Sequence, residues 1–249
     1  MNGRSILFAI WCGFTFATPA LGQDMANALD LLASARERGA VTAWRSAHAA
    51  FESATNQPAH QVEAHYYAGF CSFALAVTPG VEDPIRWMNE AVSHLFRAQD
   101  IDARHAEASA LLALALALGN RLDPKRCTAG FFNPGALVNR ARHEEPDNPR
   151  VALIAAMWLT LNQSTVSDSH EKIRGRLSRA DRLFANEAER DAPKPWGSVE
   201  HRAWRTLVLR TLDDEPRTAG IPASWADQTV LPRLFRTTAN ATDSKPGPP

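Results

Sequence analysis

One spacing of small and large apolar residues recurs four times along this chain of 249 residues. In each copy a large apolar residue follows a small or apolar one by four positions, and Ala comes three positions later. Steps of four and three place all three side chains on one face of an α-helix. The copies are Ala47-Phe51-Ala54, Ala91-Leu95-Ala98, Pro134-Val138-Ala141 and Ile173-Leu177-Ala180. Their starts lie 44, 43 and 39 residues apart, a period that favours stacked pairs of helices.

The segments between these copies also have helical character. Asn133-Pro134 and Asn148-Pro149 are start signals, because Asn caps a helix and Pro fits its first turn. No alternating apolar and polar segment is long enough to predict a sheet. We therefore expect an all-α fold, built as an α-solenoid of antiparallel helix pairs. The predicted helices span 24–38, 41–55, 60–77, 83–99, 103–119, 134–143, 149–162, 169–187 and 196–211.

The repeated spacing resembles the second helix of the tetratricopeptide repeat (TPR) family, whose pattern is A-x3-F-x2-A, usually ending with Pro. Glu90–Ala98 fits this pattern, and so does Asn139-Arg140-Ala141 with Pro146 after it. Gly69 supplies the small residue expected in a first helix. The resemblance covers about residues 24–211. It departs from the family's period of about 34 residues through insertions near 77–84, 120–132 and 164–169.

The amino terminus has the pattern of a secretory signal peptide. Arg4 precedes an apolar run from Ile6 to Phe16, and Ala20-Leu21-Gly22 offers small residues for cleavage before Gln23. A run of about 11 apolar residues is too short for a bilayer core, which needs about 20. We therefore expect cleavage and a periplasmic or secreted location.

The rest of the chain divides into two parts. A TPR-like helical domain is predicted for residues 23–236, with a capping helix near 225–235. Residues 237–249 are rich in Pro and polar residues and predict a disordered tail. No segment after the leader has the length and apolar character of a transmembrane helix.

Charge and motifs exclude several function classes. Lys and Arg number 27 and Asp and Glu number 27, a balance that argues against a nucleic-acid binder. No nucleotide-binding, hydrolase or zinc-protease motif is present. His60 and His65 are five apart, a poor spacing for joint metal binding, and His143 is typical of a solvated helix end. We expect no catalysis, no cofactor and no metal ligands.

The resemblance to TPR proteins implies a concave groove lined by first helices. Carried onto this chain, the groove positions include one aromatic helical face. The opposing interpretation is that these aromatics pack in the core, since aromatic stripes at helical spacing usually do so. The proposed groove residues are Glu63, Tyr66, Phe70, Phe73, Arg150 and Met157, with Leu153 and Thr160 beside them.

Two further features are ambiguous in the sequence. Cys71 and Cys127 remain after leader cleavage, and export permits a disulfide between them; the alternative is that Cys71 is a small buried apolar residue. Lys172, Arg176 and Arg179 form a basic stripe on one helix. That stripe suggests contact with an acidic partner or with anionic lipids, although it also fits the solvated side of an amphipathic helix.

Together these patterns predict an exported, non-catalytic TPR-like scaffold that binds a protein or peptide in the cell envelope. The alternative is a small-ligand carrier, or an accessory subunit of an envelope enzyme. A carrier should contain a closed, mostly apolar cavity, whereas a scaffold should present an open groove or an apolar patch.

Overall fold

In the computed structural model the chain is described at residues 23–127, 132–162, 169–188 and 196–213, and the regular structure of these residues is entirely helical. The all-α prediction is confirmed, and each predicted helix agrees with an observed one to within three residues at either end. The helices are α1 (Gln23–Arg38), α2 (Val41–Ala54), α3 (Gln61–Val77), α4 (Pro84–Ile101), α5 (Ala106–Leu122), α6 (Pro134–Glu144), α7 (Pro149–Leu161), α8 (Ser169–Ala188) and α9 (Ser198–Asp213). A short 3-10 turn, Pro58–His60, precedes α3.

The two Asn-Pro start signals act as predicted. The Asn148 side chain accepts hydrogen bonds from the backbone N–H groups of Arg150 and Val151 at the start of α7. The Asn133 side chain accepts one from the backbone N–H of Ala136 at the start of α6. These caps satisfy N–H groups that a helix leaves without partners in its first turn.

Helix packing follows the chain order. Each helix contacts the next one, and in addition α5 contacts α7 and α7 contacts α9. The repeated apolar spacing forms much of the contact surface: every residue of the four copies is buried except Pro134, which is half-buried. The positions found by their spacing therefore belong to the core.

Gly69 allows α3 and α4 to approach closely. A Cβ atom at this position would lie 2.7 Å from Cγ of Leu95 and 3.3 Å from its backbone N. Leu95 is the large residue of the second copy, and it fills the space that the missing side chain leaves. The small residue expected from the TPR pattern thus has a direct packing role.

Several predictions concern segments outside the described residues. These are the leader at 1–22, the capping helix near 225–235 and the tail at 237–249. Within the described ranges, no helix combines the length and the apolar character that a membrane crossing requires.

Candidate metal centre

Four side chains of metal-ligating type, from α2 and α4, come together where both helices pack on α3. His48 and Glu52 lie one turn apart on α2, and Glu90 and His94 lie one turn apart on α4. A spacing of four residues directs both members of a pair to the same helix face. One ligand atom from each of the four residues lies within 4.8 Å of the others. We call this group the His/Glu cluster.

The nitrogen–oxygen separations within the cluster are somewhat longer than those between ligands of one bound metal ion. His48 Nδ1 lies 3.7 Å from a Glu52 oxygen, His48 Nε2 lies 3.8 Å from a Glu90 oxygen, and His94 Nε2 lies 3.9 Å from the other Glu52 oxygen. Ligands at about 2.1 Å from a tetrahedral metal lie about 3.4 Å from one another. A single ion would bind one of the two His48 nitrogens, and the four ligand atoms, which now lie within 4.8 Å of one another, would draw closer around it.

His48 is the most buried ligand of the cluster. Its side chain is 5% exposed, and its Nε2 atom makes no hydrogen bond within the described part of the chain. The Trp87 ring meets the imidazole edge-on, with ring centroids 5.4 Å apart. Burial lowers the pKa of His48 although Glu52 and Glu90 act in the opposite direction. A buried nitrogen without a partner is costly, and a metal ion would satisfy it.

His94 lies beside a third histidine, His65 of α3. Their Nδ1 atoms are 3.1 Å apart. Burial, together with the nearby imidazoles of His48 and His65, lowers the pKa of His94 to about 4. Burial and then the charge of Arg97 also lower the pKa of His65. All of these imidazoles are thus held in the neutral form, which is the form that binds metals.

The two carboxylates face the solvent side of the cluster. The Glu52 side chain is 51% exposed and the Glu90 side chain is 28% exposed. The histidines lie deeper, since the His94 side chain is only 13% exposed. An ion therefore has a route from solvent past the carboxylates to the imidazoles.

The cluster was not predicted from the sequence, which was expected to hold no metal ligands. Of the histidines considered there, His60 and His143 lie outside the cluster and His65 lies beside it. The available signal was the pair of motifs H-x3-E at His48 and E-x3-H at Glu90, each at the spacing of one helical turn. What the sequence did not contain was the packing that brings α2 and α4 together.

The predicted aromatic groove is not accessible in the structure, and that prediction is wrong. Tyr66, Phe70, Phe73 and Met157 are all at most 2% exposed. Trp196, which directly precedes α9, stacks on the Phe70 ring with centroids 4.6 Å apart. The chain's own carboxyl-terminal region covers the face that the TPR register assigned to a partner. The opposing interpretation, that these aromatics are core residues, agrees with the structure.

Of the two charged groove residues, Arg150 is placed differently from the prediction, whereas the exposure of Glu63 does not contradict it. Arg150 is 1% exposed and forms a bidentate pair with Glu187, with N–O distances of 2.8 and 2.9 Å. Its Nε donates to the carbonyl of Trp196. Glu63 is exposed near the start of α3. Arg150 therefore holds the Trp196 segment in place and does not orient a peptide.

Cys71 and Cys127 are both thiols, so the predicted disulfide is not formed. Cys71 is fully buried within α3, and burial raises the pKa of its thiol well above its ordinary value. The Sγ of Cys127 lies near the Leu116 carbonyl. A Cβ added at Gly119 would lie 2.9 Å from this Sγ. Each cysteine packs into its own surroundings.

The basic stripe is only partly available to a partner. Arg176 is half-buried and donates to the Ala155 carbonyl, and burial lowers its pKa to about 10. Arg179 donates to Asp147 at 2.9 Å. Lys172 is exposed. Contact of this stripe with an acidic partner or anionic lipids stays a prediction, and it would depend mainly on Lys172 and Arg179, because Arg176 is engaged with α7.

A cavity of about 720 Å³ lies at the ends of α5 and α7 and the start of α6. Its lining mixes polar and apolar side chains, and the Arg121 guanidinium donates to the Leu161 carbonyl there. The other residues lining it include Asn120, Cys127, Phe132, Trp158 and Asn162.

Comparison of the chain with protein-family models, curated proteins and solved structures finds no match.

Proposed function

We propose that this protein binds a divalent transition-metal ion at the His/Glu cluster. The main support is His48, whose buried Nε2 atom has no hydrogen-bond partner among the described residues and lies in a group with a second imidazole and two carboxylates. Two imidazoles and two carboxylates suit Zn²⁺, which takes four nitrogen, oxygen or sulfur ligands. Ca²⁺ and Mg²⁺ instead prefer six or more oxygen ligands.

A bound ion would join two successive parts of the helical array. Its ligands come in pairs from α2 and α4, and α3 lies between these helices in chain order and contacts both. The unfolded chain does not hold these groups together, so metal binding stabilises the folded state. The ion thus acts as a cross-link between helices whose apolar cores are already packed.

The direct test is calorimetric titration of the full chain with Zn²⁺ after treatment with a chelator. We expect one ion per chain. His48→Ala and Glu90→Gln should each weaken binding at least tenfold, whereas His170→Ala on the exposed surface of α8 should bind like the wild type. Absence of binding, or equal binding by all variants, would overturn the proposal.

We also propose that the helices form a TPR-like solenoid of antiparallel pairs in an exported protein. The support is the burial of the repeated apolar triplets, the close approach of Gly69 to Leu95, and the signal-peptide pattern of residues 1–22. Limited proteolysis of the exported protein, with mass spectrometry of its amino terminus, tests both parts. A chain that begins at Met1 would contradict export.

A protein-binding scaffold is the second candidate function. Phe96 is an exposed large apolar residue on α4, and its ring packs against that of Phe132 with centroids 5.4 Å apart. With the aromatic groove covered, the surface around Phe96 is where a protein partner would dock. Cross-linking in the cell envelope should capture one defined partner with the wild type and lose it with Phe96→Ser. The same cross-links in both proteins would argue against this surface.

A further inference from the structure

The imidazoles of His65 and His94 form a hydrogen bond between like atoms. Their Nδ1 atoms lie 3.1 Å apart, so one Nδ1 carries the proton and the other accepts it. The opposite ring nitrogen of His94, Nε2, lies 3.9 Å from Glu52, on the side of the cluster. The imidazole of His94 therefore points Nε2 at the cluster and Nδ1 at His65.

This arrangement restricts the tautomer of His94. A metal ion binds the lone pair of Nε2, and in a neutral imidazole the proton must then be on Nδ1. His94 can bind the ion and keep its hydrogen bond only by donating from Nδ1 to His65. The proton of His65 must in turn lie on its own Nε2.

We infer that His65 is a positioning residue of the metal centre, which accepts the Nδ1 proton of His94 and so holds His94 in the tautomer that binds metal. This inference rests on the proposed metal binding and adds a fifth residue to the site. Histidine ligands commonly donate their second N–H to an outer partner, and loss of that partner typically weakens metal binding by about 10- to 100-fold.

The place of His65 in the fold fits this role. It lies on α3, whereas the ligands of the cluster come from α2 and α4. Its ring centroid is 5.4 Å from that of His94. His65 is half-buried. A substitution of its side chain therefore disturbs the core less than a substitution of its buried neighbours would.

Two variants of His65 separate its hydrogen bond from its packing. His65→Phe keeps an aromatic ring and removes the acceptor, and His65→Asn places a carbonyl oxygen on Cγ, where Nδ1 of the imidazole stands. In Zn²⁺ titrations of the full chain, we expect His65→Phe to weaken binding about 10- to 100-fold. His65→Asn should recover most of that loss. Equal affinity of His65→Phe and the wild type would overturn the inference.

A spectroscopic measurement reports on the tautomer itself. In ¹⁵N spectra of the Zn²⁺-loaded wild type, His94 should show a protonated Nδ1 and a metal-bound Nε2. Observation of metal bound through Nδ1 would overturn the inference even if His65 variants bind weakly. If the wild type binds no Zn²⁺ at all, the proposed function fails; if it binds and the His65 variants are unchanged, only the role of His65 fails.

Discussion

The indole ring of Trp196 stacks on the ring of Phe70 with centroids 4.6 Å apart and an angle of 25° between the planes. The Trp196 N–H also donates to the Tyr66 hydroxyl at 2.6 Å. At the other end of the chain, Arg36 of α1 pairs with Glu200 of α9 at 2.6 Å. These contacts, with the packing of Trp204 of α9 on Phe73, hold Trp196 and α9 in place over the aromatic face of α3 and beside α1. The aromatic face is thus part of the core.

Truncation of Phe70 tests this interpretation. Phe70→Ala removes a ring that contacts both Trp44 and Trp196 and should lower the free energy of unfolding by about 3 to 5 kcal/mol. Phe96→Ala on α4 is the control, because Phe96 is 40% exposed and its loss should cost about 1 kcal/mol or less. Urea denaturation measures both. Similar losses in the two variants would mean that Phe70 is not held in the core.

Ala should have opposite effects at two helical glycines, because only Gly69 lies where two helices approach closely. Gly69→Ala should destabilise the fold by about 1 to 3 kcal/mol, because the new Cβ would lie 2.7 Å from Leu95. Gly175→Ala on α8 has no atom within 4 Å of the new Cβ and should stabilise by up to about 1 kcal/mol through helix propensity. Thermal unfolding measures the difference. Stabilisation by both variants would contradict the packing described for Gly69.

The all-α class and the helices themselves were predictable from the sequence because their signals are local. Asn148 caps the helix that begins next to it, and residues such as Phe51 and Leu95 are spaced for one helix face. The cover on the aromatic face was not predictable in this way. Trp196 lies 130 residues after Tyr66, and no spacing within α3 shows that a distant segment will pack on it.

For the same reason, the sequence could show the two ligand pairs of the proposed metal centre but not that the pairs meet. Each pair, His48 with Glu52 and Glu90 with His94, has the spacing of one helical turn and could have been found in the sequence. Their meeting depends on how α2 and α4 pack around α3. The burial of His48, which leaves its Nε2 atom without a partner among the described residues, is a property of the folded chain.

The metal-free protein should lose stability in mildly acidic solution. The pKa of His94 is about 4 in the folded chain, against an ordinary 6.5, so the unfolded chain binds an additional proton between these values. The stability that neutral His94 contributes is therefore present above pH 6.5, and about 3 kcal/mol of it is lost as the pH falls through 4. His94→Gln should flatten this decline in denaturation curves recorded with a chelator. Identical pH profiles for the variant and the wild type would contradict the described burial of His94.

The most direct test of the account is X-ray absorption at the zinc edge of the full chain loaded with one equivalent of Zn²⁺. The cluster predicts four nitrogen or oxygen ligands at about 2.0 to 2.2 Å. Two of them should show the scattering of imidazole rings, from His48 and His94, and His48→Ala should reduce these to one. A shell of six oxygens without imidazole, or an unchanged spectrum in His48→Ala, would contradict a metal centre at the His/Glu cluster.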